Sequence, residues 1–266
     1  MKNILVIGGT GFIGSHLAER LCRDGCKVAV LARRNSDTSF VRSLGNVELR
    51  IGDILKPESL KDAFHGIDTV FCLVNVRPQP NIDYEKEVNL LHIEGTKNII
   101  NACKANSVKR FVYFSSVATI GYKKDISVYD QSSETMPVDA YGKAKLAAER
   151  ILNESINRKE LDVTIVRPVG IFGERGLGPL KKVIFFVEKG FVPVIGRGSN
   201  KQSIAYVGNI VNQAICAAQN QNSIGRTYIT GDARAYSVNE LISAVCKAMN
   251  SKVLRIHIPL FLLMSA

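Results

Sequence analysis

The sequence predicts an α/β protein built on a doubly wound, mainly parallel sheet, completed by a small C-terminal lobe that covers the substrate side. Three observations carry that expectation. Ile4-Leu5-Val6-Ile7 is a continuous apolar run, as a strand covered on both faces requires, and it breaks into Gly8-Gly9-Thr10-Gly11-Phe12-Ile13-Gly14 just as a helical pattern begins. Apolar strand runs and helical periods then alternate as far as Pro168, the signature of a parallel sheet with right-handed crossovers. From Val169 onward the alternation is lost. Residues 1–168 therefore read as a dinucleotide-binding core, and 169–266 as sheet completion mixed with a lobe that is not an independent domain.

The elements follow in order. Phe12 to Arg23 is an amphipathic helix stopped by Gly25, and Val28 to Ala32 is the second strand. A polar loop, Arg33 to Ser39, leads to the third strand, Val47 to Ile51, which closes in Gly52-Asp53. Pro57 marks a helix start and Gly66 its end, before a fourth strand from Asp68 to Val74. From Asp83 to Ala105 a long helix sets Val88, Leu91, Gly95, Ile99 and Ala102 on one side. Arg110 to Phe114 is the fifth strand, ending in Ser115-Ser116. A long polar loop, Lys123 to Asp139, precedes the helix from Tyr141 to Asn157, and loops of that length are often functional. The strand Asp162 to Arg167 stops at Pro168, which cannot continue a central ladder. Further on, helices are expected at Leu180 to Lys189, Asn209 to Ala218 and Val238 to Met249. Extended pieces are expected at Val192 to Ile195, Ser203 to Tyr206 and Arg226 to Thr230. The apolar run Ile256 to Met264 must dock on the body of the protein or on a further C-terminal portion.

Composition narrows the classes. At 266 residues and 46% hydrophobic, the chain can bury a large core. Its apolar stretches fall well short of the about 20 residues of a membrane span. With no charged-then-apolar leader before the first strand, a cytoplasmic protein is expected. The six cysteines, Cys22, Cys26, Cys72, Cys103, Cys216 and Cys246, form no Cys-x-x-Cys and read as reduced, buried small hydrophobes. His16, His65, His92 and His257 share no ligand spacing, so no metal is expected. The net charge of +11 is spread over pairs such as Arg33-Arg34, Lys109-Arg110, Lys123-Lys124 and Lys181-Lys182 without aromatic interleaving. That describes a solvated basic surface better than a nucleic-acid interface.

The glycine turn is suited to a dinucleotide. Gly8 or Gly9 permits the sharp turn, Gly11 allows close approach of a pyrophosphate, and Gly14 allows the new helix to pack on its strand. Free amides and the positive end of the helix dipole favour a dianion. At the end of the second strand, where an NAD enzyme normally presents a carboxylate to the ribose, the chain has Ala32-Arg33-Arg34, and Arg33 suits a 2′-phosphate. NADP is therefore the preferred cofactor, with NAD admissible. Tyr141 and Lys145 stand four apart on one helical face, where the ammonium is expected to lower the phenol pKa and make it a proton carrier near neutrality. Ser116, at a strand end, can hydrogen-bond the substrate oxygen.

Together these segments resemble the extended short-chain dehydrogenase/reductase superfamily, of NAD-dependent epimerase/dehydratase type, with a likeness also to 3β-hydroxysteroid dehydrogenase and dihydroflavonol reductase relatives. The carriers are Gly8-Gly9-Thr10-Gly11-Phe12-Ile13-Gly14, Gly52-Asp53, Gly95-Thr96-Lys97-Asn98, Phe114-Ser115-Ser116, Tyr141 with Lys145, and Arg167-Pro168. The resemblance implies a Rossmann-type fold and a catalytic triad of Ser116, Tyr141 and Lys145, with Lys145 also on the nicotinamide ribose. It puts Asp53 near the adenine and includes Ile54 and Pro168 among the cofactor-binding residues.

The chain departs from the family pattern in three places. Leu73-Val74-Asn75-Val76 replaces a small, alanine-rich stretch, His92 stands where Asn usually precedes Gly-Thr, and Gln202 stands where sugar-nucleotide enzymes often place Arg. The first expectation is an epimerase or dehydratase acting on a sugar nucleotide such as a UDP-sugar, supported by the run Pro193 to Val207. The alternatives are an NADPH-dependent carbonyl or hydroxysteroid-type reductase and a non-catalytic dinucleotide-binding protein. A homodimer is left open.

Overall fold

The computed structural model describes residues 1–76, 78–122 and 128–259. They form two units, Met1–Pro168 with Val211–Thr230, and Val169–Ile210 with Gly231–Ala266.

The first unit is a seven-stranded, wholly parallel sheet. Its strands are β1 (Asn3–Ile7), β2 (Lys27–Ala32), β3 (Val47–Ile51), β4 (Thr69–Cys72), β5 (Arg110–Phe114), β6 (Val163–Pro168) and a last strand Thr227–Thr230. The order across the sheet is β3-β2-β1-β4-β5-β6 and then Thr227–Thr230. The chain winds outward from β1 to β3, then returns to β1's other side, pairing Ile7 with Leu31 on one flank and Cys72 on the other. A doubly wound sheet opens its ligand crevice at the carboxyl ends of the strands flanking such a reversal.

Four helices position the side chains that matter: α1 (Phe12–Arg23), α2 (Ser39–Ser43), α3 (Tyr84–Ala105) and α4 (Ala140–Asn157). Asp83 caps α3 by accepting from the Lys86 amide at 3.1 Å, and Asp139 caps α4 by accepting from the Gly142 amide at 2.7 Å. The inward residues of α3 and α4, Ile99, Cys103, Ala148 and Leu152 among them, join Leu5, Val70, Phe111 and Ile165 of the sheet in one apolar core. Arg110, at the amino end of β5, holds the returning segment to the sheet. Its Nη2 lies 2.7 Å from Thr164 Oγ1 and 2.8 Å from the Ala217 carbonyl.

Three expectations change. The helix expected from Pro57 to Gly66 is a short 3₁₀ turn, Pro57–Leu60, followed by turns. Ser59 Oγ accepts from the Asp53 amide at 2.9 Å and donates to the Lys56 carbonyl at 2.7 Å, and such local bonds compete with helix propagation. The loop after β2 contains the short α2. Of the six cysteines, all free, Cys72 and Cys103 are buried, whereas Cys216 is exposed, because its position on the helix Val207–Gln219 faces away from the apolar stripe. Lys123, Lys124 and the start of the loop expected from Lys123 lie outside the described residues.

The second unit is assembled from two-stranded pieces. Gly170–Phe172 pairs with Ile204–Tyr206, Phe191–Ile195 with Leu254–Ile258, and Lys201–Gln202 with Tyr236–Ser237. Val187, Val192, Val194, Ile242 and Val245 form its small core. The helix Val238–Ala248 starts in a full capping box between Ser237 and Glu240. The apolar terminal run thus docks, through Leu254–Ile258, on Phe191–Ile195, and its continuation from Leu260 lies outside the described residues.

Gly14 sets how closely α1 approaches β1: a Cβ there would sit 2.2 Å from the Gly8 carbonyl oxygen, and backbone cannot yield cheaply. Gly14→Ala should destabilise the fold by roughly 1–3 kcal/mol, read as a lowered midpoint in chemical denaturation.

Candidate active site

The glycine turn sits at the carboxyl end of β1. Gly8 has φ +85°, and a Cβ on it would meet the Leu73 carbonyl group at 2.9 Å, so the turn requires glycine. A Cβ on Gly9 would lie 2.7 Å from Val30 Cγ2. Gly11 is the N-cap of α1, its amide bonded to the Gly8 carbonyl at 3.0 Å, and no side chain caps the helix. Around Gly11 a Cβ would meet only the Gly8 oxygen, at 3.2 Å, so a ligand could approach the backbone there. Thr10, Phe12 and Ile13 complete the half-exposed rim. This cradle of small residues and uncapped amides fits a pyrophosphate.

The neighbouring strand ends complete the floor. Arg33 is exposed at the end of β2, its amide bonded to Ser36 Oγ at 3.1 Å, and the strand end carries no carboxylate. Asp53 follows β3, its Oδ1 accepting from the Leu55 amide at 3.0 Å. The adjacent Ile54 is held by α3: Asn98 Nδ2 donates to its carbonyl at 2.8 Å, and its side chain lies where a Cβ on Gly95 would stand, 2.6 Å away. The Gly95-to-Asn98 segment therefore serves to fix the Asp53-Ile54 loop. Pro168 is buried at the end of β6.

The structure brings Ser116, Tyr141 and Lys145 together. Ser116 follows β5, its Oγ accepting from the Ala118 amide at 3.1 Å, and its hydroxyl lies beside Tyr141, one turn of α4 before Lys145. The Lys145 ammonium is 2% exposed, donates to the carbonyls of Phe114 at 2.7 Å and Val74 at 3.3 Å, and lies 5.8 Å from the Tyr141 ring centroid. Its pKa falls to about 8, because burial disfavours the charge more than Cys72 and Glu149 favour it.

Tyr141 differs from the expectation. Burial pushes its pKa up to about 12, and only the neighbouring Ser116 hydroxyl opposes the rise. The ammonium that was to lower it is turned toward two main-chain carbonyls.

Two further residues pack beside this group, and no sequence motif marks either as part of a site. His92, a departure from the family pattern, is fully buried on α3. Its ring meets the Tyr141 ring edge-on at 6.1 Å, and its Nε2 has no hydrogen-bond partner among the described residues. Burial, then the nearby ammonium, lower its pKa to about 2. The other is Glu149, paired with Arg167 beneath the strand ends. Its signal was present: Glu149 repeats the four-residue spacing of Tyr141 and Lys145, placing a carboxylate on the inner face of α4.

The profile of the NAD dependent epimerase/dehydratase family matches residues 4–231. N-acetyl-alpha-D-glucosaminyl-diphospho-ditrans,octacis-undecaprenol 4-epimerase of Escherichia coli O157:H7 is 30% identical, over 97% of this chain and 75% of its own length. Sterol-4-alpha-carboxylate 3-dehydrogenase, decarboxylating, of Bos taurus is also 30% identical, over 97% and 74%. Among solved structures, the UDP-glucose 4-epimerase of Thermus thermophilus, in complex with NAD, superimposes with a TM-score of 0.80 at 23% identity, over 97% of this chain and 86% of its own.

His92 gives a pH prediction. Its folded pKa is depressed below the ordinary 6.5, so the unfolded chain binds the extra proton between pH 6.5 and about 2. The burial of neutral His92 thus contributes fully above pH 6.5, and stability is lost as pH falls through that window. His92→Asn should flatten the fall between pH 7 and 5 in urea denaturation.

Proposed function

The chain belongs to the NAD dependent epimerase/dehydratase family, and from that premise we propose that it is an NAD(P)-dependent epimerase-type enzyme acting on a sugar carried by a diphosphate, with a nucleotide sugar as the first candidate. One observation carries the mechanistic part: Ser116 lies beside Tyr141, with Lys145 one helical turn away and the glycine cradle at the neighbouring strand end.

The bound nicotinamide would supply the hydride acceptor and donor. Residues Gly8 to Gly14 would take the pyrophosphate, Asp53 and Ile54 the adenine side, and Lys145 the ribose, with Pro168 at the nicotinamide end. Ser116 orients the reacting oxygen. Tyr141 exchanges a proton with it. With its pKa raised, the phenol holds a proton at neutral pH and is ready to donate to a carbonyl oxygen. To accept one it needs positive charge closer than the Lys145 ammonium, which lies 5.8 Å from its ring centroid and is held by two main-chain carbonyls.

A hydroxysteroid-type dehydrogenase is the second reading, favoured by the equal identity to the Bos taurus protein and by Gln202. An epimerase returns the hydride it takes and can retain its cofactor, whereas a dehydrogenase must exchange it at each turnover. Retention of nucleotide through purification, with turnover of UDP-sugars and not of hydroxysteroids, supports the first reading.

Tyr141→Phe removes only the hydroxyl. A loss of turnover of ~100-fold to 10,000-fold with unchanged cofactor affinity is expected; wild-type turnover by this variant would refute the tyrosine role. For the cofactor, Arg33 without a carboxylate at the end of β2 supports NADP over NAD. Titration should show tighter NADP binding in the wild type, and Arg33→Ala should remove the difference. Equal wild-type affinities refute the preference.

A further inference from the structure

The helix face that carries Tyr141 and Lys145 continues to Glu149, one turn further on. Its side chain is 2% exposed. Its carboxylate accepts from Ser115 Oγ at 2.5 Å, from Arg167 Nε at 2.9 Å and from Arg167 Nη2 at 2.6 Å. Ser115 directly precedes Ser116 at the end of β5, and Arg167 lies in β6. One carboxylate thereby ties α4 to both strands, next to the residues that meet at the site.

An apolar contact would hold a helix to a sheet as well as a buried ion pair does, since the pair must first repay the desolvation of two charges. What the pair adds is direction: the two parallel bonds of a guanidinium fork fix distance and angle together. It also adds charge. The groups facing Lys145 are Cys72 from β4, Tyr113 from β5 with its ring 4.8 Å from Nζ, His92 from α3, and Tyr141 and Glu149 from α4. Burial pushes the Cys72 thiol to about 11, Tyr113 well above its ordinary value, Tyr141 to about 12 and His92 to about 2. All four are neutral at pH 7, so the Cys72 thiol favours the Lys145 charge only at pH values where it ionises, and Glu149, ion-paired with Arg167, is the anion in this set.

We propose that Glu149 is the positioning residue of the site: through Ser115 and Arg167 it sets the register of α4 against the strand ends, and its charge keeps the buried Lys145 ammonium protonated. The inference rests on the reading of Tyr141 and Lys145 as the proton-transfer pair.

The test is a titration of Lys145 itself by NMR, in protein labelled with ¹³C at the lysine ε-carbon, with Lys145→Met identifying the signal. It needs neither substrate nor turnover, so it can fail while the functional reading stands, and Tyr141→Phe can fail while this stands. The wild-type midpoint is expected near 8. Glu149→Gln removes the anion and leaves Arg167 unpaired, so the midpoint should fall by roughly one pH unit. Glu149→Asp keeps the charge on a shorter arm. Its midpoint should stay close to wild type. Arg167→Met, a variant that stays informative if Glu149→Gln does not fold, should raise the midpoint. A merely structural Glu149 would lower stability without moving the midpoint. An unchanged midpoint in Glu149→Gln, or in Arg167→Met, overturns the proposal.

Discussion

A single ammonium group, buried where the strands end, constrains the rest of the site. Lys145 reaches the carbonyls of Phe114 and Val74, so the ends of β5 and β4 must stand a fixed distance from α4. With Lys145 fixed there, its neighbour one turn back, Tyr141, is brought to Ser116. The main-chain oxygens that hold the charge are those of Phe114, the last residue of β5, and of Val74, two residues past β4. A parallel sheet thus supplies both the crevice and the acceptors that make a buried cation tolerable.

Burial has a second consequence. It takes the proton affinity of Tyr141 up and that of Lys145 down, so the two approach opposite limits of what a proton-transfer pair can use. The sequence suggested the adjacency, because a spacing of four puts two side chains on one helical face. It could not reveal that the ammonium points at backbone carbonyls, since those acceptors come from strands 31 and 71 residues away. The same limit applied to Glu149, whose partners lie on β5 and β6.

The fold was legible wherever a pattern is local. The run Ile4 to Ile7, the glycines that follow and the repeated strand-to-helix periods each find their element within a residue or two in the structure. The helix expected after Pro57 failed because a serine hydroxyl bonded to main chain stops it, an effect that periodicity does not register. The pairing of Lys201–Gln202 with Tyr236–Ser237 was illegible because two-residue strands carry no alternation. The family match over residues 4–231 agrees with the segments from which the resemblance was drawn. Relatives at the same 30% identity act on different molecular classes by name, which is why the substrate does not follow from membership.

In the proposed mode of binding, the glycine cradle and Lys145 hold the two halves of one dinucleotide. A crystal structure of the protein with NADP tests it most directly. The pyrophosphate is expected on the amides at the start of α1, the 2′-phosphate at Arg33, and a nicotinamide-ribose hydroxyl within hydrogen-bond distance of Lys145 Nζ. A dinucleotide bound with its pyrophosphate away from Gly11 to Gly14, or with its ribose out of reach of Lys145, would contradict it.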